Sequence, residues 1–215
     1  MIAPADLAVL VGLNLVGAAA PGPDVILVTR TATRSRPHAW ATTCGIQLGV
    51  LWWCTLTVLG AAALLTAVPR ALQVVQVIGG AYLVWMGINA LHQGWRDRRN
   101  PPLSLEEAEQ RLGSLRASFV RGLSTNLANP KIVVALSAMI APLLPASPSW
   151  ATQIVVIFSL WASSFILFGV LTQVVSTNRV RRKLLAAGPA IDMGSGGFFC
   201  VVGVLLVVRG LLSAG

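Results

Sequence analysis

Charge is what this chain has least of. Its 215 residues carry 11% Asp, Glu, Lys and Arg, against about 25% in an average soluble domain. It has seven acids, two histidines, one tyrosine and three cysteines. The cysteines, Cys44, Cys54 and Cys200, lie scattered in apolar stretches with no CxxC pair. That excludes a disulfide framework and a thiolate metal site, and neither a metal nor any other cofactor is expected. Both histidines, His38 and His92, fall at the ends of apolar runs. An intramembrane serine protease, which "GSGG" at Gly194–Gly197 would otherwise suggest, therefore lacks its base. No Lys or Arg precedes Arg30. The Ala18-x-Ala20 pattern then lacks the basic segment of a secretory signal, and an uncleaved span is expected.

What is present is hydrophobic length. Mean hydropathy is +0.76 and 55% of residues are hydrophobic. Apolar runs near the ~20 residues needed to cross a bilayer recur along the whole chain. Six spans are expected, about 7–28, 40–67, 72–91, 119–144, 150–175 and 191–212, in an all-α integral membrane protein. The net charge of +9 does not point to nucleic acid, because the basic residues cluster between spans. One connection holds Arg30, Arg34 and Arg36. A second holds Arg96, Arg98, Arg99, Arg111, Arg116 and Arg121. A third holds Arg179, Arg181, Arg182 and Lys183. These thirteen of sixteen basic residues mark the cytoplasmic side. Both termini are then extracytoplasmic. In the long cytoplasmic loop, 96–116, Ser104 and Glu107 have capping-box spacing, so a short helix is expected there. Its Glu106, Glu107 and Glu109 read as a solvated face.

Three ionisable residues do not belong to loops: Asp24, Lys131 and Asp192. Each costs about 2.5–3.5 kcal/mol at mid-membrane, so each is a candidate for function. Asp24 closes "APGPD". Pro21 and Pro23 lack an N–H and Gly22 bends freely, so the first span breaks and restarts near Asp24. Asn126, Asn129, Pro130 and Lys131 in "LSTNLANPKIVVAL" break the fourth span in the same way. Aligning Pro23 with Pro130 also aligns Asp24 with Lys131. "GAYLVWMG" at Gly80–Gly87 matches "GGFFCVVG" at Gly196–Gly203. The chain reads as two three-span halves, 1–95 and 117–215, in inverted orientation. Interrupted helices at matching places in such halves point to a transporter site.

A zwitterionic amino acid would place its ammonium at Asp24. Its carboxylate would lie at Lys131 and the half-helix N-termini, with Asn126 and Asn129 fixing its orientation. Gly45 and Gly49 form a small-residue face for close helix approach near that site. Asp24 is the first candidate for proton coupling and Asp192 the second. A plain proline kink with Asp24 paired to Lys131 is the structural alternative, and snorkelling to the interface is the plain account of Asp192.

Five segments together, "PGPD" at Pro21–Asp24, "GIQLG" at Gly45–Gly49, "GGAYLVWMG" at Gly79–Gly87, "NLANPK" at Asn126–Lys131 and "IDMGSGG" at Ile191–Gly197, give a resemblance over nearly the whole chain. The sequence resembles the LysE/RhtB superfamily of bacterial amino-acid exporters, in its homoserine/threonine-exporter-like branch. The resemblance implies a multi-pass protein of the bacterial inner membrane, not an enzyme, exporting amino acids on the proton gradient. Met193 departs from the more usual Arg, which removes a cationic neighbour for Asp192. A transmembrane thiol or electron carrier and a passive channel are the alternatives. A homo-oligomer is left open.

Overall fold

The computed structural model describes residues 2–20, 22–60, 69–100, 104–140, 144, 148–185 and 187–212. Every regular element among them is a helix: α1 Pro4–Ala19, α2 Pro23–Arg34, α3 Arg36–Val58, α4 Pro69–Arg99, α5 Leu105–Gln110, α6 Leu115–Leu127, α7 Pro130–Ile140, α8 Trp150–Val175, α9 Asn178–Leu185 and α10 Gly188–Leu212.

The helix starts follow local chemistry. Proline occupies the first turn of α1, α2 and α3, where no N–H is needed. Ser35, Ser104, Ser114 and Ser149 cap α3, α5, α6 and α8, each hydroxyl accepting a bond from the backbone N–H three residues on. The expected Ser104 cap is thus formed.

Three helices are individually long and apolar enough to cross a membrane: α3, α8 and α10. The pair α1 and α2, bent by 60°, passes that test only together and would be a fourth. Burial runs opposite to hydropathy. In α8, at mean hydropathy 2.4, 22% of the apolar window is buried, whereas in α3, at 1.2, 61% is. An apolar exterior around a more polar central helix suits a lipid solvent, because apolar side chains need no shelter there and polar ones do. Trp85, Phe158, Ile166 and Val201 are among the large side chains turned outward.

Two apolar clusters hold the bundle. One joins Leu10, Val28, Ile46, Val50, Val133, Val156, Leu160 and Phe168 from α1, α2, α3, α7 and α8. The other joins Leu27, Leu83, Met86 and Phe199 from α2, α4 and α10.

Glycines set two close helix contacts. Along α4 and α10, a Cβ built on Gly80 would lie 2.6 Å from Gly203 O, and one on Gly203 would lie 2.6 Å from Gly80 O. Gly87 and Gly196 face each other's carbonyls in the same reciprocal way, at 2.7 Å both ways. Between α3 and α6, a Cβ on Gly45 would lie 2.1 Å from Phe119 O, and one on Gly122 would lie 2.2 Å from Thr42 O. Only hydrogen fits at these positions.

The chain departs from the expected boundaries where charge is buried. Arg30 and Arg34, expected in a connection, lie in the last turns of α2 and are buried. No loop separates α2 from α3: Ser35 alone ends one and caps the next. α4 continues to Arg99, beyond the expected end near residue 91.

Candidate functional site

The two proline breaks meet. Gly22 ends the gap after α1, and Pro23 and Asp24 open α2. Ala128 and Asn129 separate α6 from α7, which Pro130 and Lys131 open. Asn129 Oδ1 accepts from the Lys131 backbone N–H at 3.1 Å, so this asparagine caps α7. Its Nδ2 donates to Asp24 Oδ2 at 3.3 Å, and Asn126 Nδ2 donates to the same oxygen at 3.1 Å. In the other direction, Lys131 Nζ donates to the carbonyl of Ala20, at the C-terminal end of α1, at 3.2 Å. The amides of one break hold the acid of the other, while the ammonium reaches back to a carbonyl freed at the first. That carbonyl end carries the negative pole of α1, which favours a cation.

Asp24 and Lys131 form no direct ion pair, so the expected alternative of a simple Asp24–Lys131 pair is not how either charge is held. Asp24 is 7% exposed. Its second oxygen, Oδ1, has no hydrogen-bond partner among the described residues, and neither does Asn126 Oδ1. Such buried acceptors are costly unless something donates to them.

A cavity of about 70 Å³ opens beside these atoms, lined at its polar end by Asp24, Asn129, Lys131, Asn14 and Ser164. Val25, Val50, Ile132, Met139 and Phe168 form the apolar remainder. That is room for a few water-sized groups, on the scale of a small polar head. A second cavity, about 360 Å³, lies on the α10 side of the same breaks and shares Gly22, Asn129 and Lys131 with the first. Acid, ammonium and two helix N-termini therefore border two adjacent, mainly apolar cavities.

Of the residues singled out in the sequence, Gly22, Pro23, Asp24, Asn126, Asn129, Pro130 and Lys131 gather here. Pro21 lies outside the described residues. Gly45 and Gly49 pack against α6, and Gly49 serves the site directly, because a Cβ there would lie 2.4 Å from Asn126 Oδ1. Sequence reasoning missed Asn14 and Ser164. Asn14 Nδ2 donates to Leu160 O at 2.9 Å and Ser163 Oγ at 3.0 Å, tying α1 to α8 beside the cavity. A polar amide within an apolar run was the available signal.

Asp192 is elsewhere. It is 1% exposed and so does not snorkel. Arg30 Nε donates to its Oδ1 at 2.5 Å, and Arg34 Nη2 bonds its Oδ2. Met193 leaves Asp192 with no shortage of cations, since α2 supplies two. Arg34 also bonds Asp97 at 2.6 Å, and Asp97 in turn receives Arg111 at 2.6 Å. Arg111 reaches Glu107 at 2.5 Å, and this pairing raises its pKa above the ordinary arginine value. Ser35 donates to Glu109 at 2.8 Å. Glu109 is thus engaged with the bundle, contrary to the expectation of a merely solvated face, while Glu107 pairs with Arg111 of its own loop and Glu106 is exposed. The cluster ties α2, α4, α5 and α10 together at one end. Among the described residues no three His, Cys, Asp or Glu gather as metal ligands.

The sequence matches the family described as LysE type translocator over residues 15–210. The threonine efflux protein of Escherichia coli K12 is 27% identical over 201 residues, covering 91% of this chain and 94% of its own. An uncharacterised membrane protein of Haemophilus influenzae is 29% identical over 205 residues, covering 94% and 96%. One from Pseudomonas aeruginosa is 30% identical over 199 residues, covering 89% of each. No solved structure matches the chain. With the match running through both proline breaks and the α4–α10 glycine pairs, the chain belongs to the LysE type translocator family and is a membrane transporter, not an enzyme.

Proposed function

We propose that the chain exports small zwitterionic amino acids from the bacterial cytoplasm in exchange for protons, with the substrate held between Asp24 and Lys131. The observation that carries this reading is the interlocking of the two breaks around a cavity that both charges line. The substrate ammonium takes the open oxygen of Asp24. Its carboxylate displaces Lys131 from the Ala20 carbonyl and takes the ammonium together with the N–H groups of α7. The side chain rests on Val25, Ile132 and Phe168. Threonine efflux by the E. coli relative fits a small substrate of this kind.

The same reading has six spans as two inverted halves, with α1–α2 and α6–α7 as the interrupted ones and both termini outside the cytoplasm. The reciprocal glycine contacts support it. A two-fold axis that exchanges Gly80 with Gly196 and Gly87 with Gly203 turns the Gly80–Gly203 contact into the Gly196–Gly87 contact. The paired distances, 2.6 and 2.6 Å against 2.7 and 2.7 Å, are close to what such an axis demands. The Arg30–Asp192–Arg34–Asp97 cluster then lies on the cytoplasmic side and closes it, while the small cavity lies toward the outside. Asp24 is the proton carrier, because Asp192 is already answered by two arginines.

The test is a panel of amino-acid efflux measurements in cells overproducing the protein, with and without a proton uncoupler. Export of at least one small neutral amino acid against its gradient, abolished by the uncoupler, is expected. Downhill flux alone, insensitive to the uncoupler, sinks the proposal in favour of a passive channel.

A further inference from the structure

A second polar cavity lies away from the substrate site. It has about 470 Å³ and is lined by Arg30, Trp85, Met86, Asn89, His92, Gln93, Arg96, Arg111 and Arg121, among others, with no acid in its wall. Two of its arginines are already answered: Arg30 by Asp192, and Arg111 by Asp97 and Glu107. The other two are not. Among the described residues neither Arg96 nor Arg121 has a carboxylate partner, and Arg121 is only partly exposed. Guanidiniums gathered in a pocket of like charge, with no carboxylate in its wall, attract an anion from outside the chain.

The wall itself says where that anion comes from. Trp85 is 60% exposed on α4, and Trp95, next to Arg96 and one helical turn before Arg99, stacks under Arg99 at 3.7 Å. Tryptophan beside arginine at a helix end is how a chain sits at the headgroup level. The cavity shares α4 with this Trp–Arg end, through Arg96 in its wall. Asn89 and Gln93 add neutral polar groups for phosphate or glycerol oxygens.

We propose that this pocket binds the phosphodiester headgroup of an anionic membrane lipid, with Arg96 and Arg121 on the phosphate and Trp85 against the glycerol and upper acyl chain. The placement at the cytoplasmic leaflet rests on the orientation proposed above; binding itself does not. By fastening α4 to α6, beside Arg30 and Arg111, the lipid braces the ion cluster that closes this end.

The experiment uses the full chain purified in detergent, titrated separately with dioleoylphosphatidylglycerol, dioleoylphosphatidylcholine and inorganic phosphate. Lipid retention is read by native mass spectrometry and the thermal midpoint by intrinsic fluorescence. Wild-type protein is expected to retain phosphatidylglycerol and to rise in Tm with it, and to do neither with phosphatidylcholine. Affinity should fall roughly fivefold in Arg96→Gln and about 25-fold in Arg96→Gln/Arg121→Gln, as removal of one and two phosphate-facing cations implies. Arg96 is exposed, so the single variant is expected to fold whatever Arg121 does. Arg116→Gln, exposed and outside the cavity, should bind as wild type. Unchanged affinity in Arg96→Gln and the double variant overturns the proposal. So does equal retention of phosphatidylcholine, and so does an equal Tm rise with inorganic phosphate, which would mark a soluble-anion site. Because lipid retention is read without transport, failure here leaves the export reading standing, and the reverse.

Discussion

Asn126 donates its side-chain amide to Asp24 across 102 residues of chain, at 3.1 Å, and Gly49 is the residue that makes room for it. A methyl at position 49 would strike the Asn126 amide, while a methyl at position 45 would strike the backbone carbonyl of Phe119. The two substitutions should therefore differ in kind. Gly49→Ala is expected to insert well, because a side chain can turn aside, yet to cut efflux by about 10- to 150-fold, as the loss of one hydrogen bond to a charged group costs roughly 1.5–3 kcal/mol. Gly45→Ala should lower the amount of folded protein in the membrane, since backbone overlap costs about 1–3 kcal/mol or more. Equal insertion and equal efflux in both would remove the link between Gly49 and the site.

Asp24→Asn keeps shape and abolishes titration. Gradient-driven efflux should be lost while exchange of labelled for unlabelled amino acid persists. Normal uncoupler-sensitive efflux in this variant would transfer the coupling role to Asp192.

Lys131→Met keeps the stem and deletes the ammonium. Transport should fall most for substrates with a free carboxylate and least for an amide analogue. Since Lys131 is held by the Ala20 carbonyl and Asp24 by two amides, combining Lys131→Met with Asp24→Asn should not restore efflux. Recovery in the double variant would mean that the two charges serve only each other.

Asp192→Asn should behave differently from Asp24→Asn. It leaves buried Arg30 without a carboxylate and Arg34 with Asp97 alone, and breaking a buried pair costs about 3–5 kcal/mol. The expected result is little folded protein in the membrane, measured by detergent-stable fluorescence of a fusion. Full insertion with selective loss of proton coupling would assign Asp192 to the site instead.

A reporter active only in the cytoplasm, fused after residue 215, should stay silent, because the proposed arrangement puts thirteen of sixteen basic residues on the other face. A strong signal would overturn the proposed six-span arrangement.

The sequence alone determined the class of protein and where its helices break. Low charge and recurrent apolar runs require helices in a lipid solvent, and proline beside Asp24 and beside Lys131 requires helix ends there whatever surrounds them. These are local effects, read from neighbours along the chain. Tertiary structure decided the partners. Nothing in the spacing of Asp24 and Lys131 told that each charge would be held by the opposite break's polar groups and not by the other charge. Nothing in Arg30 and Arg34, which composition assigns to a connection, told that α2 would extend through them and bury them against Asp192 and Asp97. Gly49 looked like packing until α6 placed Asn126 against it. Hydrogen bonds and ion pairs act within about 4 Å, and which residues come that close depends on how helices far apart in sequence pack.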